Sequence, residues 1–165
     1  MYRNSDGELA SAATGSELPL ITPPQGGQIL LVGPRARNLR GCHVVLATAL
    51  VDDESGAVLT VDRRPIVLEP TAGDALAPKN PSGLSNYANV AACPVAGLTR
   101  PVNGTAYTLD MTVTDEAERS AQRWLQVIPS CMDGSTANAC RCECSANFRQ
   151  GASCGGGSGG SGGGS

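Results

Sequence analysis

The chain has 165 residues, a net charge of −3, only 3% aromatic residues, and seven cysteines beside one histidine. The weak negative charge gives no electrostatic footprint for nucleic acid or an anionic membrane surface, and so few aromatics argue against a base-stacking or sugar-stacking platform. Cysteines at this density in a chain of one-domain size point to a disulfide-forming compartment rather than a reducing one.

Residues 1–16 are small and polar and read as a disordered leader or tag remnant. They carry no signal-peptide pattern, and no apolar stretch in the chain is long enough to span a bilayer, as in an exported protein written without its export signal. Residues 17–22 form a short strand ended by Pro23-Pro24, and Gln25-Gly26-Gly27 turns the chain into the stretch that organises the rest, residues 27–69. There the apolar run 28–32 suits a strand covered on both faces, and residues 35–37 return to alternation. Residues 42–51 make a second β-branched, apolar segment. Residues 52–56 (DDESG) supply a hairpin turn in which Gly56 takes the positive φ, and a third strand begins at Ala57. Pro65 lacks an N–H for the ladder, so that strand bulges there or lies at an edge.

Residues 70–85 are rich in Pro, Gly, Ala and Ser and read as a surface loop, and 86–93 as a weak strand. Residues 105–114 alternate most cleanly: Tyr107, Leu109, Met111 and Val113 on one face, Ala106, Thr108, Asp110, Thr112 and Thr114 on the other. The polar connection 115–119 leads to a last strand, 120–128, ended by Pro129. Seven or eight short strands with turns between them predict an all-β fold. The expectation is an immunoglobulin-like antiparallel β-sandwich over 17–129, with a closed barrel as the alternative. A Cys-rich tail follows over 130–154, and 155–165 is an engineered Gly/Ser linker outside the fold.

The seven cysteines, Cys42, Cys93, Cys131, Cys140, Cys142, Cys144 and Cys154, are disulfide candidates with one left over. Cys42 and Cys93 both end predicted strands, which makes a bridge between them the first pairing to expect. The five in the tail read as a disulfide knot that pins the C-terminus. The competing reading, a metal-thiolate site in the tail, lacks the Cys-x2-4-Cys spacing of zinc sites, so no metal or cofactor is expected. No Cys-x-x-Cys pair supports redox catalysis. His43 follows Cys42 directly, and neighbours on opposite faces of a strand do not meet, which removes a Cys/His nucleophile pair. Without His43 no Ser-His-Asp triad can be assembled, and no Gly-x-Ser-x-Gly, His-Glu-x-x-His or phosphate loop occurs, so an enzyme is not expected. Asp52, Asp53 and Glu54 form an acidic hairpin tip, a candidate ligand loop that can offer oxygen ligands to calcium and otherwise is a solvated turn. Arg35, Arg37 and Arg40, with Arg63 and Arg64, are a candidate basic strip for an anionic glycan or acidic partner. Asn103-Gly104-Thr105 matches a glycosylation acceptor and reads more simply as a hairpin turn.

Eleven of the twelve basic residues are arginine, Lys79 being the exception, and Ala, Gly and Pro are abundant, which suggests a high-GC bacterial source. Leu18-Pro19-Leu20-Ile21 leading into Pro24-Gln25-Gly26-Gly27, an apolar strand and Arg35-Ala36-Arg37 resembles uncharacterised secreted lipoproteins of myxobacteria and their relatives. The Cys-rich end after residues 125–129 is similar to their tails, and Cys142-Glu143-Cys144 through Phe148 to Cys154 resembles the end of an EGF-like module. The resemblance implies a cell-envelope location and no known chemistry. The lipid-bearing cysteine of such proteins has no counterpart in residues 1–16, so membrane contact is expected only through an anchor outside this chain. The expectation for function is a non-enzymatic module, secreted or at the cell surface (periplasm or outer-membrane exterior), that binds an envelope protein or glycan through sandwich loops. Two alternatives stand beside it: a structural subunit that can homo-oligomerise by pairing of edge strands, and metal binding by the tail thiolates.

Overall fold

The structure, a computed structural model, describes residues 2–3, 9–40, 42–78, 84–95, 98–146, 148–149 and 151–154. Ten strands and one short α-helix occur among them, with a single 3-10 turn at Leu84–Asn86: β1 Tyr2–Arg3, β2 Leu9–Ala10, β3 Ser16–Leu20, β4 Gln28–Val32, β5 His43–Val51, β6 Val58–Thr71, β7 Ala75–Pro78, β8 Ala88–Cys93, β9 Tyr107–Thr114, β10 Ser120–Cys131 and α1 Ala137–Glu143. The strands form two sheets, β2-β1-β4-β8 and β3-β10-β9-β5-β6-β7. The all-β expectation holds. The pairing is not purely antiparallel, because β3 runs parallel to the end of β10, Leu18 opposite Pro129.

Side-chain alternation explains why these segments are strands. Val44, Leu46, Thr48 and Leu50 of β5 and Tyr107, Leu109, Met111 and Val113 of β9 point into one core, where they meet Leu18, Leu30, Val32, Val90 and Val127. Every residue of β4 is buried. Its even-numbered apolar positions join that core, while Ile29 and Leu31 pack with Tyr87 on the opposite face, partly covered by Leu9 and Ile21. The run 28–32 therefore is a strand covered on both faces. Leu9 belongs to the segment expected as a leader; in the structure β1 pairs with both β2 and β4, placing Tyr2 opposite Val32.

Two expectations change and a third holds. Residues 70–85 are not simply a surface loop: β6 continues to Thr71 and pairs with β7, Leu68 opposite Pro78, while residues 79–83 lie outside the described residues. β10 does not end at Pro129. The ladder with β9 stops at Val127, so the proline sits where only β3 pairs with it, and the strand runs on to Cys131. Pro65 does lie at an edge, since β7 pairs only with residues 68–71 of β6; the bulge in that hairpin falls at Leu50/Val51 instead.

The bridge expected between Cys42 and Cys93 does not form. Cys93 pairs with Cys144, Cys131 with Cys140 and Cys142 with Cys154, and Cys42 is free and exposed. The helix supplies the physical reason. Cys140 and Cys144 are four residues apart, so they share one face of α1 and its C-terminal cap, while Cys142 points away. That face is buried. One of its cysteines is tied to β10 in the six-stranded sheet and the other to β8 in the four-stranded sheet, so the helix clamps the two sheets together at one end.

Candidate functional site

The acidic tip is built by the β5–β6 hairpin. Its turn closes through Asp52 N–H to the Ala57 carbonyl at 2.9 Å and Gly56 N–H to the Asp52 carbonyl at 2.8 Å, with Gly56 at φ 70°. The Asp52 carboxylate is not offered to a ligand. It accepts from the Ser55 hydroxyl at 2.7 Å and from the Glu54 N–H at 3.2 Å, and it is ion-paired to Arg100. The hydrogen bond from Ser55, and behind it those from the Glu54 N–H and Arg100, hold its pKa below the ordinary value against the opposing effect of burial. Arg100 also contacts Glu54 at 3.0 Å, donates to the Ala106 carbonyl at 2.9 Å and lies 4.7 Å from the centroid of the Tyr107 ring. Asp53 accepts from Gln126 at 3.0 Å. All three acids of the candidate ligand loop thus have partners within the chain, and at Asp52 a cation would have to displace a part-buried, charge-assisted set of hydrogen bonds. Sequence reasoning had no signal for Arg100, a lone arginine in a turn-rich segment.

The arginines expected as one strip are dispersed. Arg35 donates to the Ala72 carbonyl at 2.8 Å and the Arg37 guanidinium lies against Gly73, because Ala36 pairs with Leu76 beside β7. Arg64 is bound in two-pronged fashion to Asp62, both contacts at 2.7 Å, on the inner side of β6. Arg63, the preceding residue, points outward, and the Arg40 N–H donates to Asp115 at 2.8 Å. Asn103 takes a structural role, its side-chain carbonyl accepting from the Cys131 N–H at 2.7 Å.

Cys42 and His43 do meet. Cys42 precedes β5 and so escapes the strand pleat that would place the two on opposite faces; its Sγ lies 3.8 Å from His43 Nδ1, which also lies 3.3 Å from Glu116 Oε1. Both contacts fall on the same ring nitrogen. A nucleophilic relay needs the thiol on one nitrogen and the acid on the other, so the trio lacks that arrangement. In the tail, the sulfurs of Cys131, Cys140 and Cys144 lie within 4.8 Å of one another. They are close because two disulfides pack side by side, and a disulfide sulfur is not a thiolate ligand.

The feature that stands apart is the outer face of the six-stranded sheet. Register carries rows of side chains across β10, β9, β5 and β6: Gln126, Thr108, Val51 and Val58 in one, Trp124, Asp110, Ala49 and Val61 in the next, Gln122, Thr112, Ala47 and Arg63 beyond. Trp124 is 62% exposed, Val61 63% and Val58 58%. Asp110, the only acid in these rows, accepts two hydrogen bonds from Gln122 at 2.9 and 3.0 Å. A solvated sheet face ordinarily carries charged and strongly polar residues; this one is mainly Thr, Ala and Val with a projecting tryptophan. Trp124, Val58 and Val61 thus share one face, and large exposed apolar side chains gathered on one face are a feature of interaction sites.

No family model, curated protein or solved structure matches the chain. None of the described helices is long and apolar enough to cross a membrane.

Proposed function

We propose that this chain is a non-enzymatic, exported bacterial surface module that binds a protein of the cell envelope through the outer face of its six-stranded sheet. The observation that carries the reading is the row Trp124-Asp110-Ala49-Val61, whose two ends are each more than 60% exposed. Tryptophan dominates binding energy at protein interfaces when it enters a dry pocket, and burying the exposed part of Trp124 would contribute about 2 kcal/mol. The flat, weakly polar face suits a protein surface better than a glycan, which needs a denser set of hydrogen-bonding groups. Three disulfides support export, because such bridges persist in oxidising compartments. The loops at the hairpin tip lose weight as the binding surface because their acids are already engaged. Pairing of edge strands is the weaker alternative: β3 and β7 border the six-stranded sheet, and each is short and carries a proline, Pro19 and Pro78.

The test is binding of the labelled protein to bacterial envelope preparations beside the double variant Trp124→Lys, Val61→Lys. The reading expects saturable binding that protease treatment of the envelope removes and that the double variant loses. Equal binding by the double variant, or binding that survives protease, would overturn it.

A further inference from the structure

Far from the disulfide clamp, the two layers part and leave a cleft of about 390 Å³. Burial falls off toward it. Tyr107 and Val127 are fully enclosed, whereas Met111 is 8% exposed and Leu125 7%, and these two with Val113 line the cleft. Its other walls are Ser11, Ala12 and the stretch 33–36 that follows β4. The next inward position on β10 after Val127 and Leu125 is Arg123, which also lines the cleft. Arg123 is exposed at the mouth of the cleft, where the inner face of β10 has left the core, and it has no hydrogen-bond or ion-pair partner among the described residues. Arg35 lies on the opposite wall, but its guanidinium already donates to the Ala72 carbonyl.

We propose that this cleft binds one small amphipathic carboxylate of the medium-chain fatty-acid class. The acyl chain lies on Met111, Val113 and Leu125, and the carboxylate pairs with the guanidinium of Arg123. The volume lies within the range of small-ligand pockets, which are mostly apolar with a few placed polar groups. A single unpartnered guanidinium matches one carboxylate through two parallel hydrogen bonds. The inference does not depend on the sheet-face reading, since Trp124 faces the other side of β10.

Decanoate is the probe, titrated calorimetrically into the full chain below the concentration at which it forms micelles, with decanol as the uncharged match. The expected result is saturable binding of one decanoate per chain. Decanol, and decanoate with Arg123→Gln, should each bind about tenfold more weakly or worse, the loss of a charge-assisted pair. Ala121 lines the same cleft and is exposed, so Ala121→Trp should abolish binding by filling it without disturbing the core. Retention of wild-type affinity by either variant, equal binding of decanol, or failure of decanoate to saturate would overturn the proposal. Trp124→Lys should leave decanoate affinity unchanged, which separates this site from the sheet face.

Discussion

Trp124 and Val61 lie in one cross-strand row on the outer face of the six-stranded sheet, separated by Asp110 and Ala49 and each more than 60% exposed. Their exposure sets what substitution does to the fold. Neither side chain fills the core, so Trp124→Lys and Val61→Lys should each change unfolding free energy by no more than about 0.5 kcal/mol. Urea denaturation checks this. A much larger loss would mean that the face is packed within the chain itself.

The disulfides should contribute unequally. Cys93–Cys144 closes a separation of 51 residues between a core strand and the helix cap, whereas Cys142–Cys154 closes 12 and fixes only the tail. Loop-closure entropy gives about 4 kcal/mol for the first and about 3 kcal/mol for the second. The first is also buried, so its removal leaves a defect where the sheets meet. The double variant Cys93→Ala, Cys144→Ala should therefore unfold at clearly lower urea than Cys142→Ala, Cys154→Ala. The reverse order would contradict the clamp.

Cys42 should be the one thiol that reacts in the native protein. Alkylation without reductant should add a single label, and unfolding under reductant should raise the count to all seven cysteines, both read by intact mass. Labelling should map to Cys42, which is exposed, and Cys42→Ser should remove it.

Acid should destabilise the protein through Asp115 and Asp52. Burial pushes Asp115 upward, but hydrogen bonds from the Arg119 guanidinium, then from the N–H groups of Arg40, Arg119 and Ala117, outweigh it and hold its pKa well below the ordinary 3.8. Asp52 is lowered in the same direction. A depressed folded-state value means that the unfolded chain takes up protons first as pH falls. The stabilisation is fully present above the unfolded value near 3.8 and is lost progressively below it, toward the folded values. Thermal midpoints followed from pH 7 to pH 2 should show a plateau that breaks near pH 4. Asp115→Asn should lower the plateau by several degrees and flatten the fall beneath it.

Much of the fold was legible because it rests on a period of two. The alternation from Tyr107 to Val113 separated the two faces of β9 correctly, and the unbroken run 28–32 announced a strand covered on both sides. Cysteine pairing was not legible, since a position at the end of a strand says nothing about which other end lies beside it. The letters did hold Cys140 and Cys144 at helical spacing, but seven residues of helix give too short a pattern to outweigh the visible Cys-x-Cys alternation. Arg100 escaped notice because its partners, Asp52 and Tyr107, are brought to it only by the hairpin and β9. The outer face needed register: Trp124, Ala49 and Val61 are scattered in sequence and become neighbours only once β10, β9, β5 and β6 are aligned. The exposed, unpartnered Arg123 at the cleft mouth was hidden for the same reason.

The most direct test of the sheet-face reading uses the chain's own probe, since Trp124 is its only tryptophan. Its emission, excited selectively in the labelled-partner-free protein, should start at the wavelength of a largely solvated indole. Titration with the envelope protein captured by the wild-type chain and not by the Trp124→Lys, Val61→Lys variant should shift that emission to the blue and saturate at one partner per chain. Saturable binding with an unshifted, still quencher-accessible Trp124 would contradict the account.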